Sequence, residues 1–272
     1  GSGNVAVGYA SGSAISTGTQ NVCVGTNALN GTTVTGSNNI AVGNSAMFSS
    51  NTVGGGDNIG IGRDAFRTLS SGGNNIGIGN QSCRTVTTGD TTVAIGYQAG
   101  YSVTTGNSNT FIGTNAGNST SSITGSNNIG IGNSAQTLLS SGSDNVAIGR
   151  LSGQLTTTGV NNVGVGLAAG RAVSTGSRNI ALGQDSLGNQ ANPITGSSNI
   201  AIGYLAMFSS AAISGANNIG IGDNTLNALS TGVDNTCIGR VAGYRIAGGN
   251  NNTLIGVACG DYITSGGQNV AV

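Results

Sequence analysis

"SNNIAVGNSAMFSS" at residues 37–50 returns as "SNIAIGYLAMFSS" at residues 198–210, and shorter forms such as "NNIGIG" and "NVAIG" lie between them. The glycine that closes each phrase recurs about every 17 to 20 residues, from Gly8 to Gly256, and a period of this length is typical of a solenoid. Each repeat of a solenoid stacks on its neighbours. The sequence therefore predicts one repeat array over residues 1–272, with about 15 coils.

Aligning the repeats gives columns that we number from the asparagine: Asn, then Ile, Val or Thr, then a small residue, then Ile, Val or Leu, then Gly. Side chains alternate along a strand, so columns 2 and 4 share one face, and we predict that this face points into the coil. An aliphatic residue at column 12 is predicted to form a second inward strand. The expected fold class is all-β, a parallel β-solenoid with coils of about 17–20 residues. The clearest members of column 12 are Val86, Val103, Val173, Leu229, Ile246 and Ile263.

Column 1 is asparagine in nearly every repeat, with Thr92 as the exception. Stacked asparagine amides can hydrogen-bond along a solenoid and to the adjoining turns. We interpret the column as a structural ladder rather than a ligand site. Its representative members are Asn39, Asn58, Asn75, Asn128, Asn145 and Asn218.

Column 3 is Ala or Gly in 12 of its 16 copies. If columns 2 and 4 point inward, column 3 points outward, and small outward residues indicate that another backbone lies close by. The alternative is that they only flatten a solvated strand. We predict a homotrimer in which column 3 forms the oligomer face, and the bulky Met47, Phe48, Phe66, Met207 and Phe208 also pack within that oligomer. The oligomer face is represented by Ala41, Gly60, Gly77, Gly130, Gly164 and Gly220.

The phrases "NNIAVGNSA", "NVAIGRLS" and "NIAIGYLA" resemble the repeats in the heads of trimeric autotransporter adhesins, and similar arrays occur in the shafts of bacteriophage and viral tail fibres. The resemblance covers the whole chain. It implies a left-handed parallel β-roll, three chains side by side and a surface that attaches to a receptor. The repeats of this chain are longer than those usual in the adhesin heads, so the sequence leaves bacterial adhesin and viral fibre open.

Composition excludes several function classes. The eight cations are all Arg and the eight anions are all Asp, with zero net charge, so phosphate neutralisation by a basic surface is not expected and we predict no nucleic-acid partner. Apolar runs are far shorter than the roughly 20 residues that span a bilayer, which predicts no membrane insertion. His, Glu and Lys are absent. We therefore expect no enzymatic activity, no cofactor and no metal.

Four cysteines, Cys23, Cys83, Cys237 and Cys259, have no spacing typical of a metal site or a disulfide, and we interpret them as free apolar residues. The chain starts at Gly1 without Met and stops at "NVAV", one residue before the next expected Gly, so we expect a fragment of a longer protein.

Function is predicted as a structural and adhesive segment of an extracellular, cell-surface or virion fibre. Tyrosines beside polar turns are typical of sugar contacts, in which the ring stacks on a pyranose face. A cell-surface glycan or receptor is the partner they predict. The alternative is an ice-binding solenoid, since Ser/Thr pairs such as Thr87 and Thr88 recur beside the turn glycine, as do Thr104 and Thr105, and Thr157 and Thr158. The candidate sugar contacts are Tyr97, Tyr101, Tyr204 and Tyr244.

Overall fold

The computed structural model describes residues 1–188 and 192–272. The chain forms two compact units, Gly1–Ser141 and Gly142–Val272. Each unit is a parallel β-solenoid in which every coil contributes one short strand, and the described residues contain no helix. The predicted all-β parallel solenoid is therefore confirmed.

The first unit contains eight strands in register. Coils are numbered below by the strand they contain. The strands are β1 (Val5–Val7), β2 (Val22–Val24), β3 (Ile40–Val42), β4 (Ile59–Ile61), β5 (Ile76–Ile78), β6 (Val93–Ile95), β7 (Thr110–Ile112) and β8 (Ile129–Ile131).

The second unit repeats this arrangement. Its strands are β9 (Val146–Ile148), β10 (Val163–Val165), β11 (Ile180–Leu182), β12 (Ile200–Ile202), β13 (Ile219–Ile221), β14 (Thr236–Ile238), β15 (Thr253–Ile255) and β16 (Val270–Ala271).

Backbone hydrogen bonds between successive coils hold the strands in register. The N–H of Ile40 donates to the carbonyl of Asn58 in the next coil, at 2.8 Å. The N–H of Gly43 donates to the carbonyl of Val24 in the preceding coil, also at 2.8 Å. The backbone hydrogen bonds of these strands are made with neighbouring coils, so each coil is stable only as part of a stack.

The interior of each coil is opposite to the prediction. In β4, Gly60 of column 3 is buried, whereas Ile61 of column 4 is 37% exposed and Ile59 of column 2 is only partly buried. The same pattern holds in the other internal strands, such as β3 and β6. Period-two alternation is correct, but its phase is reversed, and a reversal of phase exchanges the two faces of a strand.

The predicted oligomer face is therefore wrong as an outward surface. Its six representatives lie inside the coil. They are small because larger side chains from columns 9 and 12 fill the rest of that narrow interior. A Cβ atom on Gly60 would lie 3.1 Å from Cε of Met47, and one on Gly77 would lie 2.6 Å from Cε2 of Phe66. The corrected residues are Ala41, Gly60, Gly77, Gly130, Gly164 and Gly220.

Column 9 supplies much of the core. Met47, Phe66 and Met207 have no exposed surface, so the expectation that they pack against other chains is wrong. Phe48 and Phe208 are half-buried at the surface of their coils. The bulky residues fill the space that small residues of column 3 leave in the same and the next coil.

Column 12 is inward, as expected. Its representatives are buried, apart from Ile263, which packs against the core while partly exposed. In the described residues, members of this column pair through single parallel bridges with the aliphatic residue that takes their place in a longer coil, as Val103 does with Ile123 and Val173 with Ile194, and do not form a continuous second strand.

Candidate functional site

The asparagines of column 1 form a buried amide ladder. The backbone N–H and the side-chain Nδ2 of Asn58 both donate to Oδ1 of Asn39 in the preceding coil, each at 3.0 Å. Nδ2 of Asn58 also donates to the carbonyl of Gly72, 14 residues later at the end of its own coil, at 3.0 Å. The amide therefore joins two successive coils and also links the start of its own coil to the end of that coil. Because the amide groups of these buried asparagines hydrogen-bond inside the stack, they are not available to a ligand.

The other representative ladder residues make contacts of these same kinds. Asn39, Asn75, Asn145 and Asn218 donate from Nδ2 to the glycine carbonyl of their own coil at 2.8–3.0 Å. Asn128 donates to Oδ1 of the preceding asparagine at 3.1 Å. Thr92 interrupts the column, and its buried hydroxyl has no hydrogen-bond partner.

The outward side chains of columns 2 and 4 form the aliphatic strip, which we define as the members of those columns in β1–β8 of the first unit and in β9–β16 of the second. No member is charged, and only Thr110, Thr236 and Thr253 are polar. Successive strands are about 4.8 Å apart, so eight strands make a strip on the order of 35 Å long in each unit. Its most exposed internal members are Ile61, Ile78, Ile95, Ile129, Ile148, Val165 and Ile255, each 36–40% exposed.

Contiguous apolar surfaces are uncommon on monomeric soluble proteins, where large ones often serve as interaction sites. Sequence reasoning missed the strip because it placed these aliphatic residues in the core. The available signal was the bulk of column 9, which leaves no interior volume for two more aliphatic columns.

The four candidate tyrosines are divided between the two units. Tyr97 and Tyr101 lie on coil 6, while Tyr204 and Tyr244 lie on coils 12 and 14 of the second unit. Tyr97 and Tyr204 are about half exposed, at 48% and 47%. Tyr101 and Tyr244 are partly buried.

Tyr101 contacts Arg84 of the preceding coil. Nη1 of Arg84 donates to the phenolic oxygen at 2.5 Å, and the guanidinium carbon lies 5.4 Å from the ring centroid. Nε of Arg84 is buried without a partner. The arginine fixes the ring and leaves the phenolic O–H free to donate to another group.

The Ser/Thr stripe is only partly available to solvent. The hydroxyls of Thr87, Thr104 and Thr157 donate to carbonyls of the following coil at 3.2, 3.3 and 3.2 Å. Their neighbours Thr88 and Thr105 are exposed, as is Thr158. The first threonine of each pair therefore hydrogen-bonds to the next coil, and only the second is exposed. A flat ice-binding face would use two exposed columns.

The thiols lie apart from the surface features. Burial raises the pKa of Cys23 to about 11, and burial with a smaller effect of Cys259 raises the pKa of Cys237 to about 12. Burial raises the pKa of Cys83 still further. All four cysteines are free, and the three with raised pKa values stay protonated and unreactive at neutral pH.

Across residues 1–188 and 192–272, no three Cys or Asp side chains are grouped closely enough to hold a metal ion. In the same part of the chain, no helix has the length and apolar character needed to cross a membrane. Comparison with known proteins gives no matching family model and no similar curated sequence.

Proposed function

We propose that this chain is a structural and adhesive segment of a fibre that lies outside the cell, on a cell surface or a virion, and that it assembles as a homotrimer through the aliphatic strip. The observation that supports this proposal best is the strip itself, an uncharged and mainly β-branched surface that is left partly exposed by the described residues of its unit. The partner is a second and a third copy of the same chain.

Another copy fits the strip for a geometric reason. The side chains repeat with the strand spacing of about 4.8 Å, and another copy carries the same spacing, so ridges and grooves match at every coil. A threefold arrangement also gives each column a role. Column 2 of one chain faces one neighbour and column 4 faces the other.

Removing the strip from water favours assembly. Burial of apolar surface is worth about 25 cal/mol per Å² before the cost of association is subtracted. The strip carries no charge, and its only polar side chains are the hydroxyls of Thr110, Thr236 and Thr253, so little desolvation cost opposes this gain. Its uniformity over many coils favours a long, stiff element, which is the property that a fibre requires.

The experiment is light scattering on the purified chain. We expect a particle of three times the 26.3 kDa chain mass. The variant Ile78→Asp with Ile95→Asp places two carboxylates in the strip and should yield monomers that keep a β-rich circular dichroism spectrum. The matched control, Thr88→Asp with Thr105→Asp, changes exposed residues of the same two coils and should stay trimeric. A monomeric parent, or a strip variant that remains trimeric, would contradict the proposal.

A further inference from the structure

The surface of the first unit contains a pocket with an unusual lining. It has a volume of about 280 Å³ and spans three successive coils, with Thr85 from coil 5, Tyr101, Ser102 and Thr104 from coil 6, and residues 119–122 from coil 7. All eight lining residues carry a hydroxyl group: Thr85, Tyr101, Ser102, Thr104, Ser119, Thr120, Ser121 and Ser122.

The pocket lies where the coil length changes. The closing glycines Gly113 and Gly132 are farther apart in the sequence than Gly96 and Gly113, so coil 7 is longer than coil 6. The segment 119–122 lies in the part of the coil that accommodates the additional residues. Ser119 fixes its start, because Oγ of Ser119 accepts from the N–H of Ser121 at 3.1 Å and its carbonyl accepts from Oγ of Ser102.

The lining hydroxyls divide into two groups. Thr85, Ser102 and Thr104 donate to backbone carbonyls, which orients their oxygens and leaves lone pairs free to accept. The side-chain hydroxyls of residues 120–122 are exposed and make no hydrogen bond within the described part of the chain. With the free phenolic O–H of Tyr101, the pocket offers both donors and acceptors.

Charge is absent from the lining. No carboxylate lines the pocket, and the nearby guanidinium of Arg84 is directed to the oxygen and ring of Tyr101. A small anion or cation would find no opposite charge on the pocket wall. The complementary ligand is an uncharged molecule with several hydroxyls and a face that can lie against an aromatic ring.

We propose that this pocket binds one pyranose ring of a neutral glycan, with the hydroxyls of residues 120–122 and Tyr101 contacting the ring hydroxyls. The volume is just below the range of about 300–1,000 Å³ that drug-sized ligands occupy, which suits a single sugar ring. The inference rests on the proposed adhesive function and specifies its ligand class and site.

The experiment uses the full chain and saturation-transfer NMR with glucose, galactose, mannose, N-acetylglucosamine and sialic acid as probes. At least one neutral sugar should bind. Tyr101→Phe with Ser121→Ala and Ser122→Ala keeps the ring and removes three hydroxyls, and it should weaken binding at least tenfold, since three hydrogen bonds to the sugar are lost together. Tyr97→Phe, on the same coil outside the pocket, is the matched control and should bind like the parent.

Three outcomes would overturn the inference: no neutral sugar binds, only sialic acid binds, or the triple variant binds as well as the parent while its circular dichroism is unchanged. Light scattering on the same samples of the parent separates the two proposals. Sugar binding by a parent that is monomeric would refute the trimer and leave the pocket standing. A trimeric parent without sugar binding would refute the pocket alone.

Discussion

Left-handed backbone conformations at non-glycine residues define the corners of each coil. In coil 4, Asp57, Asp64 and Phe66 have φ values of 60°, 57° and 51°. This conformation costs an L-residue roughly 1–2 kcal/mol. Neighbouring coils offset the cost: the N–H of Asp57 donates to the carbonyl of Ser37 at 3.0 Å, and the Phe66 ring is fully buried. The corners are thus stable only within a stack.

Val241 is a strained corner, because a β-branched residue at φ 64° crowds its own backbone. Equivalent corners hold Asn27, Asn115 and Asn224, and asparagine tolerates this conformation. We expect Val241→Asn to raise the free energy of unfolding by about 1 kcal/mol in chemical denaturation. The control Val257→Asn lies one column earlier on an exposed surface and should change stability by less than about 0.5 kcal/mol. A loss of stability in Val241→Asn would contradict the strain argument.

Thr92 offers the second test at this scale. Its hydroxyl is buried and unpaired, and it cannot offer Asn109 the Oδ1 acceptor that the other ladder asparagines provide. Thr92→Asn should complete the ladder and raise the free energy of unfolding by about 1–2 kcal/mol, because it replaces an unsatisfied group with several hydrogen bonds. Thr105→Asn, exposed on the same coil, serves as the control in thermal unfolding. Equal melting temperatures for the two variants would show that the interruption carries no cost.

Strands and corners fit together by side-chain size. Phe111, a large member of column 3, faces Gly117 in column 9 of its own coil and Gly130 in column 3 of the next, where an added Cβ would lie 2.6 Å and 2.9 Å from the ring. Phe66 in column 9 faces Gly77 in the same manner. Each large side chain occupies the volume that glycines leave, so the core is full although most of its residues are small.

This complementarity predicts strong coupling between Gly77 and Phe66. Gly77→Ala should lower the free energy of unfolding by about 1–3 kcal/mol, because the new methyl group overlaps the ring. Phe66→Leu, a residue that the same column uses at Leu29, should recover much of that loss in the double variant. Combining Gly77→Ala with Met47→Leu is the control pair and should show additive effects. Additivity in both pairs would contradict the packing described here.

The sequence was sufficient for the period, the strands and the asparagine column, because these depend on local alternation and a fixed repeat. It was insufficient for the phase of the strand. Gly60 and Gly77 look like outward residues next to a second backbone until the sizes of Met47 and Phe66 are considered. Of the residues that line the hydroxyl pocket, the sequence predicted only Tyr101 as a sugar contact. The other walls come from separate coils, whose alignment requires the three-dimensional stack.

Across the molecule, the buried thiols couple stability to alkaline pH. Their pKa values are raised in the folded state, so their contribution to stability is complete below the unfolded pKa and is lost as pH rises through the folded values. For Cys23 this window extends from its ordinary pKa of 9.0 to about 11.

We therefore expect the free energy of unfolding to fall between pH 9 and pH 11. The triple variant Cys23→Ala, Cys83→Ala, Cys237→Ala should show a shallower fall in denaturant titrations, because it lacks the buried groups that ionise only on unfolding. Parallel curves for parent and variant would assign the alkaline effect to other groups.

The asparagine amides of column 1 make the same bond in coils of different length. Nδ2 of Asn75 reaches a glycine carbonyl 14 residues later, Asn39 reaches one 16 residues later and Asn179 one 17 residues later, yet all make the same bond at 2.8–3.0 Å. In coil 7 the additional residues lie in the segment 119–122, of which residues 120–122 are exposed, while the strand register is unchanged. A coil can therefore be lengthened without a change in strand register. Foreign peptides inserted at such a segment would be displayed at chosen heights along the stack without disturbing the coils above and below.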